Sequence, residues 1–100
     1  MITSKQRAYL RKLAHDLKPI MQIGKDGVTD TVVGAVDEAL IKREIIKVTI
    51  HETAMLDTRT VCDDLAKQLG AEPVQAIGSK FTLYRKSPEE KNRKIELPRK

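Results

Sequence analysis

Cysteine and aromatic residues are nearly absent from this 100-residue chain, which has one cysteine, three aromatic side chains and no tryptophan. The single Cys62 excludes an internal disulfide and any zinc or iron–sulfur site built from several cysteines. Three aromatic rings are too few for a surface that stacks many nucleobases. The longest apolar run is far shorter than the ~20 residues that span a bilayer, and the first ten residues contain no signal stretch. We therefore expect a cytoplasmic protein with no membrane partner.

No catalytic or metal-binding constellation is recognisable in the sequence. A nucleophile needs a base and an orienting group, and the chain offers two histidines and one cysteine without a pairing signature. His15 and His51 lie 36 positions apart, and no carboxylate–histidine spacing indicates a metal site. Cys62 falls on the apolar stripe of a predicted helix, which favours a buried, inert thiol. We expect no enzyme activity, cofactor, metal or small-molecule substrate.

Positive charge is abundant and is concentrated at the two ends of the chain. The formal net charge is +5. Residues 1–27 carry a net charge of +4 and residues 85–100 another +4, whereas residues 28–84 carry −3. This segregation indicates a surface for a polyanion, and nucleic acid is the commonest polyanion of a cytoplasm. From the charge alone, a merely solvated basic surface remains the alternative.

Hydrophobic periodicity predicts three helices and four strands in the order α-β-α-β-α-β-β. Thr3 and Gln6 have the spacing of a capping box, so the first helix begins near residue 4, and Pro19 is expected to end it. The second and third helices have candidate caps at Thr29 or Asp30, and at Asp57. The predicted strands are 20–23, 44–50, 74–77 and 80–84. We expect an α/β sandwich with a four-stranded mixed sheet whose last two strands are antiparallel.

One local motif has a chemical rationale: the loop Gly24-Lys25-Asp26-Gly27, between a predicted strand and a predicted helix. Glycines allow another backbone to approach closely, and the N-terminus of the following helix presents free N–H groups to phosphate oxygens. This G-x-x-G arrangement is the one with which KH-type domains clamp a nucleic-acid backbone. An ordinary glycine-bounded turn is the alternative interpretation.

The surroundings of the loop favour the first interpretation. The first helix and the connection after it carry Lys5, Arg11, Lys12 and Lys18, whereas the outward faces of the other two helices are acidic. A polyanion is therefore accommodated along the first helix, the loop and the C-terminal segment, and repelled elsewhere. With few aromatic rings, contact with the backbone and shape of structured RNA is favoured over stacking on unpaired bases.

Several segments match a known pattern in the correct order: 3–7 (TSKQR), 10–15 (LRKLAH), 17–20 (LKPI), 22–29 (QIGKDGVT), 38–40 (EAL), 44–48 (EIIKV), 74–78 (VQAIG) and 83–86 (LYRK). Over residues 3–86 they resemble the CRM domain of the bacterial YhbY type. This resemblance implies a fold similar to the C-terminal domain of translation initiation factor three. It also implies RNA binding centred on the G-x-x-G loop, and association with precursor large ribosomal subunits.

Carried over by position, the resemblance places Gly24, Lys25, Asp26 and Gly27 at the centre of the RNA site. It implies a supporting patch formed by Lys5, Arg11, Lys12 and Lys18. Asp26 is a departure, because an acid that faces RNA weakens contact with phosphate. A local explanation is that aspartate often bonds its own backbone in turns.

We therefore expect residues 1–86 to form an RNA-binding domain and residues 87–100 a basic tail that Ile95 and Leu97 anchor. The expected function is non-catalytic binding of ribosomal RNA in precursors of the large subunit. The alternative is a protein-interaction adaptor whose basic ends contact an acidic partner. A DNA-binding domain is disfavoured, because a strand follows each predicted helix and no helix-turn-helix connection remains.

Overall fold

One four-stranded mixed sheet organises residues 2–98, the part of the chain that the computed structural model describes. The helices are α1 (Ser4–Ala14), α2 (Asp30–Arg43) and α3 (Thr58–Leu69), and the strands are β1 (Met21–Ile23), β2 (Ile45–Ile50), β3 (Glu72–Ile77) and β4 (Lys80–Tyr84). Two short 3₁₀ turns span Glu52–Ala54 and Glu90–Asn92. The predicted order of elements and the mixed α/β class are confirmed.

The sheet has the strand order β1-β2-β4-β3. β1 and β2 are parallel, and both the β2–β4 and β3–β4 pairs are antiparallel. Gly78 and Ser79 form the predicted tight turn between β3 and β4, and Gly78 has a φ of 60°. β1 and β3 are consequently the two outer strands.

The helices pack on both faces of the sheet. Ile46, Val48 and Phe81 belong to a buried cluster that includes residues of α2 and α3. Because side chains alternate along a strand, Ile45 and Tyr84 lie on the opposite face, where a second cluster includes Leu10 and Ala14 of α1. The helix α1 is thus separated from α2 and α3 by the sheet.

Side-chain caps fix the starts of the three long helices. The predicted capping box is present, since the Gln6 N–H donates to Thr3 Oγ1 (3.1 Å) and the Thr3 N–H donates to Gln6 Oε1 (2.9 Å). Thr29 Oγ1 caps α2 by accepting the Val32 N–H, and Asp57 Oδ2 caps α3 by accepting the Thr60 N–H. A cap of this kind stabilises a helix by about 1 kcal/mol. Local chemistry therefore sets these boundaries.

The end of α1 differs from the prediction that Pro19 terminates it. The helix stops at Ala14, and the Leu17 N–H donates to the Ala14 carbonyl (3.1 Å) in a following turn. Leu17 still packs against the α1 cluster from this turn. Leu17 therefore keeps the apolar spacing of the helix although it lies beyond the helix end. Lys18 lies in the connection to β1.

Glu44 also departs from the prediction, which placed it in a strand. It ends α2 with a φ of 65°, and its side chain is fully buried. Glu44 Oε2 accepts the Ser87 N–H (3.0 Å), and Oε1 accepts the N–H groups of Lys94 (2.7 Å) and Ile95 (3.1 Å). Burial opposes the charged form, yet the three N–H donors and nearby Arg93 hold the pKa of Glu44 below its ordinary value.

The C-terminal segment, residues 87–98, lies against the rest of the protein. Besides its bonds to Glu44, the Ser87 hydroxyl donates to the Ile41 carbonyl (2.6 Å), and Gln6 Nε2 donates to the Pro98 carbonyl (2.9 Å). Ile95 and Leu97 pack against the α1 cluster. Hydrogen bonds and apolar contacts therefore hold the start of the segment at the end of α2 and its last residues against α1.

Candidate nucleic-acid interface

The G-x-x-G loop is a tight turn that joins the end of β1 to the start of α2. The Gly27 N–H donates to the Gly24 carbonyl (2.9 Å), and Gly27 has a φ of 72°. This left-handed conformation favours glycine over residues with a Cβ. At Gly24 a Cβ would have no neighbour within 4 Å. The turn conformation therefore favours glycine at position 27, whereas Gly24 leaves open space on the outside of the turn.

The inner residues of the loop project into solvent. Lys25 and Asp26 are exposed, and among residues 2–98 their side chains have no hydrogen-bond or ion-pair partner. The expected bond between the Asp26 carboxylate and its own backbone is therefore not formed. Beside the loop, Thr29 Oγ1 accepts the Val32 N–H (3.2 Å) at the start of α2. This cap satisfies one of the four N–H groups that a helix start leaves unpaired.

The predicted supporting residues lie on one side of the sheet but not in one cluster. Lys5, Arg11 and Lys12 are exposed on α1. Lys18 is exposed in the connection before β1, whereas the loop follows the end of the same strand. The loop and Lys18 thus occupy opposite ends of β1. An RNA that contacts both must run along the sheet.

Two lysines of the sheet lie between these predicted groups, and the sequence reasoning missed them. Lys47 pairs with Thr82, and Lys80 pairs with Thr49, so all four residues lie on the face of the sheet that α1 occupies. Gln22 pairs with Thr49 on the same face, two residues before the loop. The alternation of polar Lys47 and Thr49 with the buried residues of β2 could have revealed Lys47, whereas the position of Lys80 on the same face depends on the pairing of β2 with β4.

Lys47 also lies beside Lys18, so Lys18 adjoins the polar residues of this sheet face. Lys18, Arg43 and Lys47 line one open depression of ≈ 380 Å³ at the start of β1 and β2. We define the basic face as the exposed cationic residues of α1 and of the connection after it, together with the two lysines of the sheet surface beside α1. Its members are Lys5, Arg11, Lys12, Lys18, Lys47 and Lys80.

The opposite side of the molecule carries mixed charge, since α3 exposes the cations Arg59 and Lys67 as well as acidic residues. Asp63 and Asp64 are exposed on α3, and the α2 residues Asp37 and Glu38 pair with Arg85 (2.8 Å) and Lys42 (3.2 Å). The Arg85 guanidinium also donates to the Leu69 and Asp37 carbonyls. Arg85 therefore joins α2 to α3 and is not a free cation of the C-terminal segment.

An exposed apolar rim adjoins the loop. Met55 is 91% exposed and adopts a left-handed φ of 53°, and Leu56 Cδ1 lies 3.9 Å from the position of a Cβ on Gly27. With Val28, these side chains border one depression of ≈ 460 Å³. They offer aliphatic surface beside the loop, which the count of aromatic residues could not indicate.

The two histidines lie at helix ends, and the cysteine lies in the core. Cys62 is fully buried, and burial, together with the Asp63 charge, raises the pKa of its thiol to about 12. His51 Nδ1 accepts the Thr53 N–H (3.2 Å) at the start of a 3₁₀ turn, and His15 ends α1. Within the described range 2–98, no three His, Cys, Asp or Glu side chains are grouped so that they could hold a metal ion. In the same range no helix is long and apolar enough to cross a bilayer.

The fold and the segregated charge define a small mixed α/β domain with one basic face. The profile of the CRS1/YhbY (CRM) domain family matches residues 2–85, and the chain belongs to this family. The resemblance seen in the sequence is thereby confirmed.

Relatives with this domain are similar over nearly their whole length. "Probable RNA-binding protein YqeI" of Bacillus subtilis is 43% identical over 98 residues, which cover 98% of this chain and 100% of the relative. An "RNA-binding protein" of Haemophilus influenzae is 34% identical over 99 residues, with coverage of 99% and 97%. The solution structure of SAV1595 from Staphylococcus aureus has 41% sequence identity and a TM-score of 0.72, and the match covers 98% of this chain and 100% of that one.

Proposed function

We propose that this protein binds RNA through the basic face and the G-x-x-G loop, and that it acts by holding the RNA without catalysing a reaction on it. The observation that carries the proposal is the location of the cations: α1 carries four cations and no acidic residue and the adjacent sheet face adds Lys47 and Lys80, whereas α3 carries two cations and two acidic residues. The names of the relatives support RNA as the ligand.

The loop contributes backbone donors and one mobile cation. Within residues 2–98, the N–H groups of Lys25 and Asp26 have no hydrogen-bond acceptor. A phosphate oxygen can accept from these groups, while the Lys25 ammonium approaches from the side. The neighbouring Asp26 carboxylate opposes this contact. The loop therefore serves as one phosphate contact and does not provide most of the affinity.

The basic face supplies the larger electrostatic contribution. Apart from Lys18 in the connection after α1, its lysines and its arginine lie on a helix and on strands, so their Cα atoms are held in fixed places while the long side chains adjust. Contacts of this kind neutralise phosphates and release counterions, and they do not read base identity. The face accordingly favours recognition of a structured RNA by its backbone and shape.

The narrower partner that we propose is ribosomal RNA in precursors of the large subunit, bound in the cytoplasm. The support for it is the resemblance of residues 3–86 to the YhbY type, segment by segment and in order. No cofactor is part of the proposed mechanism, because phosphate neutralisation requires only the side chains and backbone of the chain.

Crosslinking in living cells, followed by sequencing of the recovered RNA, tests this proposal. Unprocessed large-subunit ribosomal RNA is expected to be enriched over mature ribosomal RNA and messenger RNA. A variant with Lys47→Glu and Lys80→Glu is the negative control, because both changes lie on the basic face. Recovery of RNA unrelated to the large subunit would reject the narrower partner. Equal recovery by the variant would reject the basic face as the binding surface.

A further inference from the structure

A second groove lies at the opposite edge of the sheet from the G-x-x-G loop. The loop lies after β1 in the chain, and β1 is one outer strand. The groove, of ≈ 520 Å³, runs along β3, the other outer strand. One side of β3 pairs with β4, and within residues 2–98 no strand pairs with its other side. The groove thus exposes a backbone edge with donors and acceptors that lack a strand partner.

Arginines border this edge on both faces of the sheet. Arg7 and Arg11 reach the groove from α1, and Arg59 and Asp63 reach it from α3. In the described part of the chain none of the four side chains forms an ion pair. The Arg7 Nε atom is buried without a hydrogen-bond partner. A buried donor without an acceptor is costly, so an acceptor that enters the groove gains from meeting it.

We propose that the groove binds an extended acidic segment of a partner protein, which adds to the sheet as a fifth strand beside β3. An added strand matches both the N–H and the carbonyl groups of an open edge, and its carboxylates match the arginines. RNA fits the same edge less well, because phosphates supply acceptors but no N–H donors for the edge carbonyls. A second copy of this chain also fits poorly, because pairing β3 with β3 brings the arginines of both copies together.

The form of β3 limits the length of this pairing. Pro73 has no N–H group, and the register with β4 shifts between Pro73 and Gln75. The regular part of the edge is therefore residues 75–77, and Ile77 is 67% exposed. The pairing spans about four residues of the partner. Alternate side chains of an added strand then face Arg7 and Arg11 on one side and Arg59 on the other.

Titration of the full chain with a synthetic peptide tests the proposal. The probe is a blocked peptide of alternating glutamate and valine, about nine residues long, within the usual length of a strand. Binding is expected at low salt, with new protection from hydrogen exchange at the Ala76 amide, because alternate residues of a strand face opposite sides and Gln75 and Ile77 already pair with β4. The same peptide with alternate residues N-methylated keeps its charge but loses donors, and its binding should be at least about tenfold weaker. Equal binding of the two peptides, or no binding, would overturn the proposal.

Arg59→Glu separates this groove from the RNA surface, because Arg59 is exposed on α3 and is not part of the basic face. Peptide affinity is expected to fall about tenfold or more, with RNA affinity unchanged. Lys67→Glu, the same charge change on the same helix outside the groove, is the matched control and should leave peptide affinity unchanged. If Arg59→Glu weakens RNA binding and leaves peptide binding unchanged, the groove is an RNA surface and the peptide proposal fails, while the proposed RNA function stands.

Discussion

Glu44 illustrates, at the scale of single residues, how one side chain joins distant parts of the chain. Its carboxylate accepts three backbone N–H groups from residues 87–95 while it ends α2. An ionised acceptor is needed, since a neutral amide would present its own N–H groups to these donors. Glu44 therefore links the C-terminal segment to the helix α2.

Replacement of Glu44 by glutamine is expected to lower the free energy of unfolding by about 1.5–3 kcal/mol at neutral pH, the range for hydrogen bonds to charged groups. Urea unfolding measures this difference. The pKa of Glu44 is lower in the folded than in the unfolded protein, so its contribution is present above the unfolded value of about 4.3. The contribution is lost as the pH falls through the folded value.

The difference between wild type and Glu44→Gln should therefore shrink as the pH falls below about 4.3. Glu38→Gln is the control, because Glu38 is exposed and its carboxylate pairs with Lys42 at the surface. A difference for Glu44→Gln that stays constant from neutral pH to pH 3 would show that the ionised carboxylate does not hold the segment.

At the scale of elements, the two glycines of the G-x-x-G turn have different roles, although the sequence motif does not distinguish them. Gly27 has a φ of 72°, whereas Gly24 lies outside the positive-φ region and has open space around it. Gly27→Ala is expected to cost about 1 kcal/mol of stability, because alanine resists the left-handed conformation.

Gly24→Ala should leave the melting temperature nearly unchanged and weaken RNA binding, since its methyl group occupies space where the backbone of the ligand approaches. Melting curves and RNA affinities of the two alanine variants, measured side by side, test this division. Wild-type affinity in Gly24→Ala would mean that no ligand backbone approaches that side of the turn.

The elements that the sequence predicts well are those controlled by neighbouring residues. The caps at Thr3, Thr29 and Asp57 satisfy nearby N–H groups, and such bonds depend only on residues three positions away. The end of α1 is a local turn that keeps the apolar spacing of a helix, and the position of Glu44 depends on contacts with residues 87–95. A hydrophobic pattern shows neither feature, so both predictions were wrong.

The residues of the candidate site also divide into those that neighbouring residues predict and those that depend on distant strand pairing. The loop conformation at Gly27 was predictable, because glycine at that position of a turn commonly has a positive φ. Lys47 and Lys80 were not recognised, because their common face depends on the pairing of β2 with β4. The groove beside β3 requires the strand order, which places β3 at the edge.

At the scale of the whole molecule, RNA affinity should depend steeply on salt. Each phosphate contact contributes roughly 0.7–0.9 to the slope of log K against log salt, so four or five contacts give a slope of about −3 to −4. Each neutralised member of the basic face, such as Lys12→Gln or Lys47→Gln, should reduce the slope by about one without changing which RNA is preferred. Lys67→Gln on α3, outside the basic face, is the control. An affinity that is flat between low and physiological salt would contradict binding through phosphates.

The most direct test of the central claim is the RNA affinity of three loop and control variants at one fixed salt concentration. Lys25→Asp should weaken binding by about 1–3 kcal/mol, because one cation is lost and an anion is gained beside the loop N–H groups. Asp26→Asn should strengthen binding, because it removes the carboxylate that opposes phosphate. Lys67→Asp, an exposed change of the same kind on α3, should bind as wild type does. If Lys25→Asp also binds as tightly as wild type, the loop is an ordinary turn and RNA is held elsewhere.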